Sequence, residues 1–238
     1  MTSAANNPSV RSRLQPLLDI LLVMGVSVGA FLLELLLSDR LPWGQEARGL
    51  LGVLAGAGAV LVLTRVRGGG FSYLGFKPPR RWWTFPLWVV GIFVVFVMAQ
   101  NAVPVVLSNW FEIPQPDMSR YDHIRGNSSA ALTMALLLPL TAAIPEEIVY
   151  RGFLVQRLRE FFGANAAGGT TAVLVQALIF AGAHFQWGMG GMLMTFIMGA
   201  VWGFAFLLCG RNLWVVIGAH SAAHIALVAQ LYHSAPLG

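Results

Sequence analysis

The stretch that decides the fold runs from Ala131 to Glu160 and reads ALTMALLLPLTAAIPEEIVYRGFLVQRLRE. A long apolar run in it leads directly into two adjacent carboxylates, Glu146 and Glu147, and a guanidinium, Arg151. A charged group at the centre of a membrane helix costs about 2.5–3.5 kcal/mol on insertion scales. Such groups usually face the interior of a helix bundle and mark a functional site. The stretch therefore predicts a membrane-spanning helix that carries part of a functional site.

The composition of the whole chain is that of a membrane protein. Of its 238 residues, 57% are hydrophobic and 11% are charged, whereas a soluble domain carries about 25% charged residues. The net charge of +5 does not indicate nucleic-acid binding, because the basic residues lie in short loops between apolar runs. The single cysteine, Cys209, excludes an internal disulfide and a cysteine-cluster metal site. We expect an all-α, polytopic transmembrane bundle with no nucleic-acid partner.

Seven apolar runs predict helices that cross the bilayer, since a span needs about 20 residues. They are Leu17–Leu37, Leu50–Thr64, Pro86–Leu107, Ser129–Phe162, Thr170–Phe185, Gly190–Leu208 and Leu213–Tyr232. The second run is short and rich in glycine, which predicts close packing against a neighbouring helix. Pro139 and Pro145 lack amide hydrogens and should loosen the fourth helix just before its carboxylates.

The distribution of Lys and Arg predicts the orientation of these spans. If the N-terminus is inside, the inner segments hold ten basic residues: Arg11, Arg13, Arg65, Arg67, Lys77, Arg80, Arg81, Arg157, Arg159 and Arg211. The outer loops then hold four: Arg40, Arg48, Arg120 and Arg125. Because inner loops of membrane proteins are enriched in basic residues, we expect the N-terminus inside and the C-terminus outside.

The two adjacent glutamates should have different partners. Glu147 and Arg151 are four residues apart, so they share a helix face and can form an ion pair. Glu146 is turned by about 100° from Glu147 at 3.6 residues per turn. A paired glutamate has a structural role, whereas an unpaired buried glutamate is a candidate general base. The spacing leaves open which of the two glutamates is the base.

Three histidines also break the apolar pattern of the last spans. His184 ends FAGAH, and His220 and His224 share a face of the last helix because they are four residues apart. Phe180 stands four residues before His184 and places an aromatic ring beside it. Each histidine alone could serve as a hydrogen-bond partner between helices, and the Glu147–Arg151 pair could be a packing device. Their joint occurrence on three spans favours a functional site.

Three motifs in this order carry a resemblance to a known family. EEIVYR fits Glu-Glu-x-x-x-Arg, FAGAH fits Phe-x-x-x-His, and HSAAH occupies the place of a third motif that is usually His-x-x-x-Asn. The chain resembles the CPBP family of intramembrane proteases, which includes CAAX prenyl endopeptidases and bacteriocin-processing or self-immunity proteins. The resemblance covers about Ser129–Tyr232. It implies that residues 1–128 hold three spans with their loops and that residues 129–238 form a four-helix catalytic core.

The resemblance implies a glutamate-type hydrolytic mechanism. Glu146, helped by His184, would activate a water that attacks the scissile carbonyl of a peptide bond. His220 and His224 would donate hydrogen bonds to the developing oxyanion, a role often worth several kcal/mol. The substrate would be a membrane-associated protein or peptide, prenylated or not.

The remaining residues of the motifs would support this site. Glu147 and Arg151 would orient it, with Glu147 still a candidate for the base, and Phe180 would shape the cleft. His224 departs from the family, which more often has asparagine there. A second histidine also allows Glu146, His184, His220 and His224 to ligate a divalent metal such as zinc. We otherwise expect no cofactor.

Two other functions fit the same residues. The chain could be a catalytically inactive scaffold or immunity protein of the same fold, since fold alone does not fix activity. A chain of glutamate and histidine could also relay protons or ions across the bilayer.

The expected location is the inner (plasma) membrane of a bacterial cell, with the site in the inner half and open to the cytoplasm. The helix positions leave one difficulty. At 1.5 Å per residue, His220 lies about 10 Å from the inner end of its span and His184 about 20 Å from the inner end of its own.

Overall fold

A computed structural model describes residues 8–40, 49–79 and 81–234, with side chains from residue 14 onward. These residues form helices and no strands, which confirms the all-α prediction. The long helices are α1 (Pro8–Leu36), α2 (Leu50–Val66), α3 (Thr84–Leu107), α4 (Ser128–Phe162), α5 (Ala166–Ala183), α6 (Gly188–Leu208) and α7 (Leu213–His233). Of the residues that predict the orientation, Arg11, Arg13, Arg48 and Arg80 lie outside the described side chains.

Six of these helices are long and apolar enough to cross a membrane, within the described ranges. The exception is α2, a shorter apolar helix of 17 residues, so the seven expected spans correspond to six full spans and α2. The polytopic helical bundle is confirmed.

One predicted boundary is wrong in a way that matters for the site. The fifth span was expected at Thr170–Phe185, but α5 begins at Ala166 and ends at Ala183. The side chain of Asn165 accepts a hydrogen bond from the amide of Gly168 and so caps the start of the helix. His184 has left helical geometry and follows α5 instead of lying inside it.

The glycines of α2 pack against α1, as expected. A Cβ atom added to Gly52 would lie 3.1 Å from Cβ of Phe31, and one added to Gly56 would collide with Ser27. Small residues at these positions therefore let the two backbones approach closely.

Two acidic residues inside α1 were not singled out by the sequence pattern. Asp19 is 2% exposed and forms ion pairs with Arg67 at 2.7 Å and Arg157 at 3.3 Å, which link α1 to the ends of α2 and α4. Glu34 is equally buried and accepts hydrogen bonds from the backbone amides of Gly49 and Leu51. It thereby satisfies amides at the start of α2 that have no partner within the helix.

The prolines of α4 coincide with changes in its winding. The helix is π-helical over Pro139–Ala143, α-helical over Ile144–Glu147 and π-helical again over Ile148–Val155. Short π-helical turns often occur at functional sites because they alter the direction of the side chains around them. The two glutamates lie on the α-helical turn between the two π-helical segments.

The connection between α2 and α3 supports the start of α7. The fully buried Leu74 lies against α4, where a Cβ atom on Gly152 would approach the Leu74 carbonyl to 3.0 Å. The amide of Leu213 donates to the carbonyl of Gly75 at 2.8 Å, and the Asn212 side chain donates to the carbonyl of Lys77 at 3.1 Å. Since Gly152 is ten residues from the end of α4, α7 begins about 15 Å inside that end.

Candidate active site

The two glutamates of α4 point to different partners. Glu147 is fully buried, and its Oε1 accepts hydrogen bonds from Nη1 of Arg151 at 2.7 Å and from Nδ1 of His220 at 2.9 Å. Glu146 forms no ion pair with Arg151 and keeps 15% of its side chain exposed. Its oxygens lie 4.0 Å from Nε2 of His184 and 3.7 Å from Nε2 of His220. The predicted pairing of Glu147 with Arg151 is confirmed, and Glu146 is the carboxylate outside that pair.

Arg151 is held by aromatic rings and a backbone carbonyl as well as by Glu147. Its guanidinium carbon lies 4.8 Å from the ring centre of Phe180 and 5.5 Å from that of Trp202, both distances at which a cation is attracted to an aromatic face. Its Nη2 donates to the carbonyl of Gly199 at 3.4 Å. The sequence pattern did not single out Trp202 or Gly199. The spacing of Gly199 and Gly203 in GAVWG, typical of closely packed membrane helices, was the available signal.

His184 presents one defined ring nitrogen to Glu146. Its Nδ1 lies 2.7 Å from the carbonyl oxygen of Phe180, and because a carbonyl only accepts, Nδ1 carries the proton. In the neutral ring, Nε2 is then an acceptor facing Glu146. A separation of 4.0 Å is too long for a direct hydrogen bond but suits a water that donates to both atoms. Ring contacts with Phe180 at 4.6 Å and Trp187 at 4.8 Å fix the imidazole.

The two histidines of α7 have different surroundings. The ring of His220 is enclosed by Trp202 at 4.3 Å and His224 at 4.4 Å between ring centres. Its Nδ1 donates to Glu147, which leaves Nε2 directed towards Glu146. His224 interacts with the backbone of Leu138 and has no ion pair with Glu146.

The structure thus brings most of the predicted residues into one cluster: Glu146, Glu147, Arg151, Phe180, His184 and His220. The expected difference in depth between the histidines disappears because α7 starts about 15 Å inside the end of α4. His220 is seven residues after Leu213, the first residue of α7, and therefore lies about 25 Å from the end of α4. Glu146 lies 16 residues, or about 24 Å, from the same end.

A segment of the connection between α3 and α4 covers the site beside His184. Tyr121 packs edge-on against Trp187 with ring centres 6.5 Å apart, and the amide of Asp117 donates to the carbonyl of Trp187. Burial raises the pKa of the Tyr121 phenol; the charge of Arg120 opposes this rise and the carboxylate of Glu146 adds to it, so the phenol stays protonated as a hydrogen-bond donor. The sequence identified this connection only as the longest outer loop.

The four residues named as alternative metal ligands do not converge as a ligand set. Across the described ranges, no group of three or more His, Cys, Asp or Glu side chains is placed to hold a metal ion. His220 commits Nδ1 to Glu147, and His224 stacks on His220 instead of facing Glu146. Zinc in proteins is usually bound by donors that converge at about 2.0–2.3 Å, so these four side chains do not fit a zinc site.

A buried glutamate that faces two imidazoles inside a helix bundle has the groups that a general acid–base reaction needs. Residues 128–226 match the family described as Type II CAAX prenyl endopeptidase Rce1-like. The matched segment holds α4, α5, α6 and most of α7, and with them every residue named above as catalytic or supporting. The resemblance to the CPBP and CAAX proteases is confirmed over this segment, and the six long apolar helices support an integral membrane protein. No curated protein and no solved structure matches the chain significantly.

Proposed function

We propose that the protein is an intramembrane endopeptidase that hydrolyses a peptide bond of a membrane-associated protein or peptide, with residues 129–238 as its catalytic core. The observation that carries the proposal is the position of Glu146. Its carboxylate is outside the Glu147–Arg151 pair and faces Nε2 of His184 and Nε2 of His220 at 4.0 and 3.7 Å.

The reacting water would sit between Glu146 and His184. It donates one hydrogen to the carboxylate and the other to Nε2 of His184, and its oxygen attacks the carbonyl carbon of the scissile bond. Glu146 takes the proton that the water loses and passes it to the departing amine nitrogen as the C–N bond breaks. A positioned acid–base group of this kind contributes a factor of about 10²–10⁴ in rate.

His220 and His224 would stabilise the oxyanion that forms on the carbonyl oxygen. Because a carboxylate only accepts, Nδ1 of His220 carries the proton that Glu147 receives as a hydrogen bond. Nε2 can therefore donate only when His220 is an imidazolium, whose charge faces both glutamates. Glu147 orients this ring, and Arg151 offsets the charge of Glu147. Phe180 packs against both Arg151 and His184 and fixes their relative positions.

Cleavage by purified protein in liposomes tests the proposal. Two peptides of one sequence, one farnesylated at a C-terminal CAAX cysteine and one unmodified, would also show whether a prenyl group is required. Glu146→Gln and His184→Ala are each expected to reduce cleavage about 10²–10⁴-fold, while His233→Ala, at an exposed position, retains wild-type activity. If both site variants cleave like the wild type, the mechanism fails.

The same preparations separate the alternative functions. A wild-type protein that cleaves neither peptide but binds a membrane partner would favour the scaffold or immunity function. Proton-gradient-driven flux into the liposomes, lost in Glu146→Gln, would favour translocation. A stoichiometric metal in the purified protein, with activity abolished by a chelator and restored by that metal, would replace the water mechanism.

The side from which substrate enters needs its own test. The cover beside His184 belongs to the connection between α3 and α4, which the basic-residue count puts outside. An N-inside orientation therefore puts the His184 side of the site towards the outside, not towards the cytoplasm. We infer that substrate reaches the site from the outer side of a bacterial inner membrane. In a Cys209→Ser background, Ser119→Cys should react with an impermeant maleimide in intact cells, and Glu160→Cys should react only after lysis. The reverse pattern would instead support a cytoplasmic opening.

A further inference from the structure

A basic cavity lies at the opposite end of the bundle from the cover beside His184. It has a volume of about 380 Å³ and is lined by Arg159, Ala164, Leu207, Gly210 and Arg211. These residues come from the end of α4, the α4–α5 connection, α6 and the α6–α7 connection. No acidic side chain lines the cavity, so its two charges have the same sign.

The two arginines of this cavity have only neutral partners. Arg159 donates to the carbonyl of Ala164 at 3.1 Å, and Arg211 donates to Oε1 of Gln156 at 3.0 Å. Within the part of the chain that the structure describes, neither forms an ion pair with a carboxylate, and the buried Nε of Arg159 has no hydrogen-bond partner. The neighbouring Arg157, by contrast, pairs with both Asp19 and Glu160. Two guanidinium groups beside a cavity therefore retain donors for an anion.

The backbone conformation of Arg211 is also unusual. Arg211 is the one non-glycine residue with positive φ in the described ranges, at φ 60°, and it follows Gly210 at φ 75°. A non-glycine residue in this left-handed region is uncommon and persists only where the surrounding structure holds it. The strained residue is the one that brings a second guanidinium to the cavity.

The surroundings place the cavity at the level of the lipid headgroups. Large apolar side chains beside it are exposed: Leu208 by 75%, Trp214 by 44% and Phe162 by 42%. Aromatic side chains of this kind are enriched where hydrocarbon meets water, and α4 and α6 end at this level. A ligand in the cavity is thus within reach of the headgroup layer.

We propose that Arg159 and Arg211 form a binding site for a phosphate group, supplied by an anionic phospholipid or by a soluble phosphate compound. Guanidinium groups bind phosphate oxygens through paired hydrogen bonds, and basic pockets between membrane helices bind lipid headgroups. The site is separate from Glu146 and its histidines and does not depend on the proposed protease activity.

Thermal unfolding of the purified full chain in neutral detergent tests this site with two probes, short-chain phosphatidylglycerol and inorganic phosphate. Each basic residue near a lipid surface contributes about 1 kcal/mol, which is about fivefold in affinity. Arg159→Gln/Arg211→Gln is therefore expected to need about 25-fold more phosphatidylglycerol for the same rise in unfolding temperature. Arg81→Gln removes an exposed arginine at the start of α3 and should respond like the wild type.

The probe that raises the unfolding temperature identifies the source of the phosphate. A rise with phosphatidylglycerol alone assigns the site to lipid, and an equal rise with inorganic phosphate assigns it to a soluble ligand. The proposal is overturned if neither probe stabilises the wild type, or if the double variant responds like the wild type. If circular dichroism shows that the double variant does not fold, the single variants Arg159→Gln and Arg211→Gln are tested instead. Unchanged affinity in both single variants also overturns the site.

Discussion

Replacing Arg151 by methionine tests the buried centre of the bundle most directly. The side chains of Arg151 and Glu147 are both 0% exposed, and the ion pair between them is 2.7 Å long. Methionine fills much of the same volume but leaves the carboxylate of Glu147 with His220 as its one remaining hydrogen-bond donor among the described residues. Removing one partner of a buried ion pair costs about 3–5 kcal/mol because the other charge stays buried. Loss of the contacts with the rings of Phe180 and Trp202 adds about 1–2 kcal/mol.

The expected loss in the free energy of unfolding is measurable in detergent. The purified protein is unfolded with increasing sodium dodecyl sulfate, and tryptophan fluorescence monitors the transition. The matched control is Arg65→Met, since Arg65 is exposed, contacts the ring of Phe71 and forms no ion pair within the described ranges. It should change the free energy of unfolding by less than about 1 kcal/mol.

A double-mutant cycle separates the ion pair from the packing. Glu147→Gln and Arg151→Met together should cost less than the sum of the single changes, by about 0.5–3 kcal/mol. The reasoning is refuted if Arg151→Met lowers the free energy of unfolding by less than about 1 kcal/mol and the cycle shows no coupling. Removal of a buried, paired guanidinium should destabilise the protein by more than that.

Three further predictions concern other parts of the molecule. Gly199→Ala should destabilise the fold by about 1–3 kcal/mol, because the new Cβ would lie 2.9 Å from Cα of Ala177, whereas Gly58→Ala meets nothing within 4 Å and should cost nothing; equal effects in the same unfolding assay would contradict this. His224→Asn should keep cleavage within about tenfold of wild type and His224→Ala should lose about 10²–10³-fold, since asparagine still donates; equal rates would exclude an oxyanion role. Asp19→Asn should lower the free energy of unfolding by about 1–3 kcal/mol, and an unchanged midpoint would show that its two arginine partners do not need the charge.

The sequence predicts which residues share a helix face better than it predicts which helices meet. The pairing of Glu147 with Arg151 follows from a four-residue spacing, because helix geometry is local. The proximity of His184 and His220 to Glu146 does not follow from the spacing, because it depends on the depth in the membrane at which each helix begins. Neither the cap at Asn165 nor the support under Leu213 leaves a periodic signal in the chain.

Aromatic residues of the site were missed for a different reason. Trp202 and Tyr121 fit the composition expected of a membrane helix and its connections, so nothing in the pattern separates them from other aromatic residues. Asp19 and Glu34 broke the apolar rule as clearly as Glu146 did, and the structure gives both of them partners. A charge inside a predicted span therefore indicates a buried partner but does not by itself distinguish a structural pair from a reacting group.

The support that the α2–α3 connection gives to α7 ties the site to the first half of the chain. The segment matched to the protease family begins at residue 128, yet the last helix of that segment starts on the carbonyl of Gly75. Expressed alone, residues 128–238 would lack the contact of Leu74 with Gly152 and the carbonyl of Gly75 that accepts from the amide of Leu213. A deletion within residues 71–77 would shift the start of α7 towards the end of α4 and move His220 away from Glu146. Residues more than 60 positions before the first motif thus set the alignment of the site.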